Sequence, residues 1–133
     1  MTPPIHRPRP SSPARLAAAA AIADAVLILV FAAVGRDAHQ RGDVVAGVLL
    51  TAWPFLAGAA LGWLAARAWR NPLSVRWTGV AVWIGALGGG MVLRLLTGQT
   101  VVPPFIIVAL LSLGLLLVGW RLAWAGVRRL RSA

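Results

Sequence analysis

Few residues in this 133-residue chain could do chemistry. The acids are Asp24, Asp37 and Asp43, the histidines are His6 and His39, and cysteine, lysine, glutamate and tyrosine are absent. Without cysteine there is no disulfide, thiolate nucleophile or thiol metal ligand. A zinc centre would need three or four ligands. A haem within a membrane wants two axial histidines, and His39 has only His6, in a different part of the chain. Ser112 stands in an apolar stretch, so no nucleophile, base and acid fall together. Three aspartates hardly supply the acid clusters or metal ligands of a lipid-modifying enzyme. No catalytic, cofactor-binding or metal-binding residue is therefore assigned, no cofactor is expected, and the chain is read as no enzyme.

What remains is charge set in apolar surroundings. Asp24 interrupts an otherwise apolar run from Leu16 to Val34, and Arg121 interrupts another that ends near Val127. By helical rise Asp24 lies about 12 Å from the start of its run, and Arg121 about 9 Å from the end of its own. If those two ends lie on the same side of a membrane, the depths match. The two residues then form a candidate intramembrane charge pair, with Trp120 or Trp124 packing nearby. The alternative is that Arg121 snorkels to inner-leaflet phosphates and Asp24 stays protonated. Arg94 sits near the other end of its run. With Arg36, Asp37 and His39, and with Arg41 and Asp43 beside them, it makes a candidate outer-face polar cluster. Such a cluster suits either an anion site built on guanidinium forks or a tie from Arg94 to Asp37 or Asp43.

The elements that must position these residues follow from composition. The chain is 59% hydrophobic and 12% charged, with a mean hydropathy of +0.81. Soluble domains are about 45–50% apolar and about 25% charged, so this one could not cover a water-facing surface. Four apolar segments of membrane-spanning length are expected as helices at about 16–34, 44–66, 78–96 and 104–127. The fold class is thus all-α, an integral membrane four-helix bundle over 16–127, between a disordered basic tail at 1–15 and a second basic tail at 128–133. Five prolines before residue 14 set the first tail, and Ser12-Pro13 reads as a helix start. The first segment could be mistaken for a signal peptide, but its length and its central acid favour a retained helix. Pro54 should kink the second helix by freeing the Leu50 carbonyl. Asn71-Pro72 and Thr97-Gly98 mark stops, and Pro103-Pro104 marks a start.

Arginine placement gives orientation. The first tail, the middle loop and the last tail carry three arginines each, against Arg36 and Arg41 on the opposite side. Nine against two predicts that both termini face the cytoplasm. Trp63, Trp69, Trp77, Trp120 and Trp124 fall near the same end, where indoles anchor at headgroups, whereas Trp53 and Trp83 lie deeper. The net charge of +10 therefore reads as topology and not as a nucleic-acid surface. Gly58 and Gly62, with Ala81, Gly85 and Gly89, offer stripes for close helix packing, or are simply tolerated glycines. A faint repeat places Arg36 before Gly62-Trp63 much as Arg94 precedes Gly119-Trp120. That spacing could arise from two related hairpins or from low complexity.

The stretches GRDAHQRG (35–42), TAWPFLAG (51–58), GWLAARAWRNP (62–72), TGVAVW (78–83), GMVLR (90–94) and GWR (119–121) together resemble the bacterial membrane family known as domain of unknown function 3054. The similarity runs from about Asp24 to Arg129. It implies a small four-helix protein of the bacterial cytoplasmic membrane and brings no activity or site residues. The expected role is non-enzymatic, as a scaffold or interaction protein. Its expected partners are the lipid bilayer and either further copies of the chain or another membrane protein, and no nucleic acid. The alternative is a small oligomeric transporter using Asp24 as the intramembrane carboxylate, by analogy of layout alone.

Overall fold

The computed structural model describes residues 13–36, 44–99 and 101–132. Four helices long and apolar enough to cross a membrane account for nearly all of them. They are α1 (Pro13–Arg36) and α2 (Val44–Ala66), then α3 (Val75–Leu96) and α4 (Pro103–Arg131). No strand occurs among the described residues. Hydrocarbon offers the backbone no hydrogen bonds, so each crossing must satisfy its own amides and carbonyls, and helices do so within one segment.

The helices start and stop where local chemistry directs. Pro13 opens α1 because the N–H it lacks is one that a first turn would leave unused, so Ala14 and Arg15, which composition assigns to the tail over 1–15, are helical. Residues 1–12 lie outside the described part. At the far end of α3, the Gly98 N–H donates to Leu95 O at 3.2 Å and the Gln99 N–H to Arg94 O at 2.8 Å. With φ +77° at Gly98, this is a Schellman stop, which needs a left-handed residue and so favours glycine. The third helix begins three residues earlier than the apolar pattern indicates. Ser74 caps it there, its Oγ accepting from Trp77 N–H at 3.2 Å. The last helix also runs beyond the expected exit at 127, because Ser132 still belongs to it. Arginine is a good helix former and its charge complements a helix C-terminus, so Arg128, Arg129 and Arg131 extend the helix instead of ending it. At 29 residues, α4 is about 43 Å long, well beyond a hydrocarbon layer of about 30 Å.

Packing follows a square in which α2 and α4 occupy opposite corners, and α1 and α3 each touch both of them. The closest pairing is α2 with α3. A Cβ on Gly58 would overlap the carbonyl oxygen of Gly85, and one on Gly62 would fall 2.6 Å from Ala81 O. Reciprocally, a Cβ on Gly85 would lie 2.7 Å from Gly58 O, and one on Gly89 would lie 2.8 Å from Gly58 Cα. The two stripes read from the sequence therefore interlock backbone to backbone. In lipid no hydrophobic force drives helices together, so dispersion across such a seam has to hold it.

Both α3 and α4 contain π turns, at Gly85–Gly89 and Gly114–Val118. The second is next to Trp83, whose Nε1–H donates to Leu110 O at 2.9 Å. Its ring fills the space where a Gly114 side chain would stand. This deep tryptophan is thus a bridge from α3 to α4. The helix α2 continues through Pro54, which is fully buried.

The core has an aromatic storey toward the end opposite the termini. Phe31 meets Phe55 edge-on at 5.3 Å, and Phe105 stands 6.4 and 6.2 Å from them. Below it, Ala59, Val82, Ala86, Leu113 and Leu117 fill the centre. Large apolar side chains such as Ile22, Ile84 and Leu115 point outward, as expected where the solvent is lipid. Gly58→Ala should therefore part α2 from α3 and destabilise the fold by about 1–3 kcal/mol. Gly88→Ala meets open space and should be neutral or slightly stabilising. Thermal unfolding of the two variants in mild detergent checks the contrast, and equal midpoints would discredit the seam.

Candidate functional site

Asp24 and Arg121 meet at the end of the core nearest the termini. Asp24 lies on α1 and is 2% exposed; Arg121 lies on α4 and is 0% exposed. The guanidinium grips the carboxylate with two parallel bonds, Nη1–H to Oδ1 and Nη2–H to Oδ2, each 2.8 Å. This fork is the strong, directional form of the ion pair. Each carboxylate oxygen takes one further bond. Trp120 donates its Nε1–H to Oδ1 at 2.9 Å, and Trp63 donates its Nε1–H to Oδ2 at 2.9 Å. Four donors thus match the roughly four acceptor sites of a carboxylate.

Four of the five guanidinium N–H groups are engaged in turn. Its Nε–H donates to Pro72 O at 2.9 Å, and Nη1 donates also to Leu117 O at 2.9 Å. Its carbon lies 4.6 Å from the centroid of the Trp120 ring, a cation–π contact. Gly79 on α3 leaves room for the arginine stem, since a Cβ there would come 3.2 Å from Arg121 Cδ. Every helix therefore reaches this point: α1 through Asp24, α2 through Trp63, α3 through Gly79 and α4 through Arg121 and Trp120. A charge in hydrocarbon is costly, and a pair there is tolerable only when further hydrogen bonds take up most of the remaining lone pairs and protons.

The loop between α2 and α3 is built to present Pro72. Ala68–Arg70 forms a short 3₁₀ turn, continued by Asn71 N–H to Ala68 O at 3.1 Å and Ser74 N–H to Asn71 O at 3.2 Å. Trp77 Nε1–H donates to Ala66 O at 2.7 Å, and the Thr78 hydroxyl donates to Asn71 O. These bonds occupy neighbouring carbonyls, while that of Pro72 is aimed inward at Arg121.

The sequence placed Asp24 and Arg121 at one depth with Trp120 or Trp124 beside them. Trp120 is the one in contact, whereas Trp124 is exposed on the outer surface. Neither the donor from Trp63 nor the acceptor at Pro72 follows from the sequence. Its place in the sequence makes Trp63 look like an interfacial anchor. The signal that could have found it was the repeat, because Gly62-Trp63 and Gly119-Trp120 converge on one carboxylate. Nothing in a proline's side chain announces the use of its carbonyl.

At the opposite end, Arg94 lies with its guanidinium carbon 4.7 Å from the Phe105 centroid. It thereby covers the aromatic storey. Arg36 is the last residue of α1. Asp37 and His39, like Arg41 and Asp43, lie outside the described residues, so the expected polar cluster and the tie from Arg94 to Asp37 or Asp43 do too.

Over residues 21–124 the chain matches the family described as protein of unknown function (DUF3054). The chain belongs to this family. The match spans most of the sequence, from three residues before Asp24 to three beyond Arg121, so the whole charge centre lies inside the family's extent. No curated protein and no solved structure matches the chain.

If the indoles are essential donors, Trp63→Phe and Trp120→Phe should each cost about 1–3 kcal/mol, because each leaves a carboxylate lone pair bare. Arg121→Lys should cost as much, since an ammonium cannot fork onto Asp24 while reaching Pro72 O. Denaturation followed by circular dichroism in detergent measures all three, and wild-type stability in the two phenylalanine variants would contradict this account.

Proposed function

We propose that this is a non-enzymatic protein of the bacterial cytoplasmic membrane, acting as a scaffold or interaction partner, with both termini in the cytoplasm. One observation carries the reading. The intramembrane carboxylate is held by a guanidinium fork and two indoles, so it leaves no lone pair for a transported cation. A carrier that exchanges protons for cations needs that carboxylate to let go of its partners in every cycle. Here release would leave an uncompensated guanidinium in hydrocarbon. The centre acts as a clamp, and the helix faces and basic ends are left for interaction with other membrane components.

The clamp can be separated from a transport site by a double-mutant cycle. Asp24→Ala and Arg121→Ala should each lower folded yield in membranes, with losses of about 3–5 kcal/mol. The combined variant should recover part of the loss through a coupling of about 0.5–3 kcal/mol. If instead Asp24→Asn folds normally and abolishes proton-coupled uptake in vesicles, the transporter reading replaces this one.

Orientation rests on the nine arginines of the terminal-bearing end, against two on the other side. A fluorescent protein fused after Ala133 should therefore be bright, and an alkaline phosphatase fused there should be inactive. The opposite pair of signals would invert the topology.

A further inference from the structure

We propose that the cleft between α1 and α2 holds one acyl chain of an anionic phospholipid, whose headgroup is seated by Arg67 and Arg70. The cleft has a volume of about 420 Å³ and runs between Ala21, Ala25 and Ile28 on one wall and Ala60 and Leu64 on the other. That size falls within the range of roughly 300–1,000 Å³ typical of ligand sites. Ala21, Ala60 and Leu64 are exposed along it, so it opens sideways, onto the hydrocarbon. Asp24 and Trp63 contribute to its lining, but their polar atoms are engaged with each other and with Arg121. The cleft thus presents an apolar surface of alanines and larger aliphatic side chains, which fits a flexible hydrocarbon tail.

Charge complementarity identifies the lipid. Trp69 lines the end of the cleft, and its turn, Ala68–Arg70, packs against α1. Arg67 and Arg70, on either side of Trp69, are exposed, and a turn that directly follows a crossing helix falls at headgroup level. Arg67 also adopts a left-handed backbone, with φ 51° and ψ 52°. At a helix C-terminus that conformation normally belongs to glycine, and an L-residue there is strained by about 1–2 kcal/mol. A strained position that keeps a charged side chain points to a use for the charge. Two guanidiniums and an interfacial indole suit a phosphate with its glycerol backbone. A second copy of the chain fits less well, because a like-oriented copy docked here would bring its own basic end against this one.

The test is native mass spectrometry of the full-length protein released from detergent. Phosphatidylglycerol and phosphatidylcholine with the same acyl chains are the probes. The wild type should retain one phosphatidylglycerol in preference to phosphatidylcholine. Arg67→Gln and Arg70→Gln should each weaken that preference about fivefold, as expected for one arginine near a charged headgroup. Ala60→Leu, which fills the cleft, should reduce retention of both lipids. Arg76→Gln, on the α3 side of the same end, should change nothing. Equal loss from Arg76→Gln would mean diffuse attraction to the basic end and would overturn the assignment. So would equal retention of both lipids by the wild type, or a stable dimer cross-linked through cysteines placed at Ala60 and carrying no lipid. Unfolding midpoints measured alongside show that each variant is folded, so a lost preference reports on the site.

Discussion

A carboxylate taken into hydrocarbon must find there everything water gave it, and the architecture of this protein is arranged around that demand. Asp24 receives four hydrogen bonds, two from Arg121 and one each from Trp63 and Trp120. Arg121 in turn needs acceptors beyond the carboxylate and finds them at Pro72 and Leu117. Because these partners come from three helices and the loop between α2 and α3, satisfying one charge fixes their mutual rotation and depth. A half-satisfied network would be worse than none, which makes the arrangement all-or-none.

The rest of the bundle has no comparable constraint and uses weaker means. Helices α2 and α3 are drawn together by glycines whose backbones touch, a contact that works through dispersion and close approach. Trp83 links α3 to α4 by a bond to Leu110 O beside the π turn at Gly114–Val118. The three phenylalanines close the far end beneath Arg94. Between the rigid charge centre and this aromatic storey the interior is mostly small aliphatic residues. Outside, many large apolar side chains, Ile22, Ile84 and Leu115 among them, are exposed. Polarity rather than hydrophobicity therefore distinguishes inside from outside, the reverse of a soluble domain.

The cleft between α1 and α2 shows how the centre shapes its surroundings. Trp63 must reach across to Asp24, and Ala21, Ala25, Ala59 and Ala60 are too small to fill the space beside it. An apolar recess on the lipid side results, and the basic turn after α2 lies at its end.

The number of crossings, their approximate limits and the depth of each charge are legible in the chain before it folds. These are one-dimensional quantities: segment length against hydrocarbon thickness, and residues counted from a boundary. The equal depths of Asp24 and Arg121 and the stripes of Gly58 with Gly62 and of Gly85 with Gly89 were legible for that reason. The true ends of α3 and α4 were less so, because Ser74 capping and the helix propensity of arginine act beyond the apolar run. That Trp63 faces Asp24, that Pro72 lends its carbonyl to Arg121, and that Gly58 meets Gly85 emerges only from the packed bundle. Those pairings depend on how each helix is rotated about its axis and on loop backbone atoms. Apolar sequence surrounded by lipid carries almost no periodic signal for rotation, and a backbone carbonyl carries none for its use.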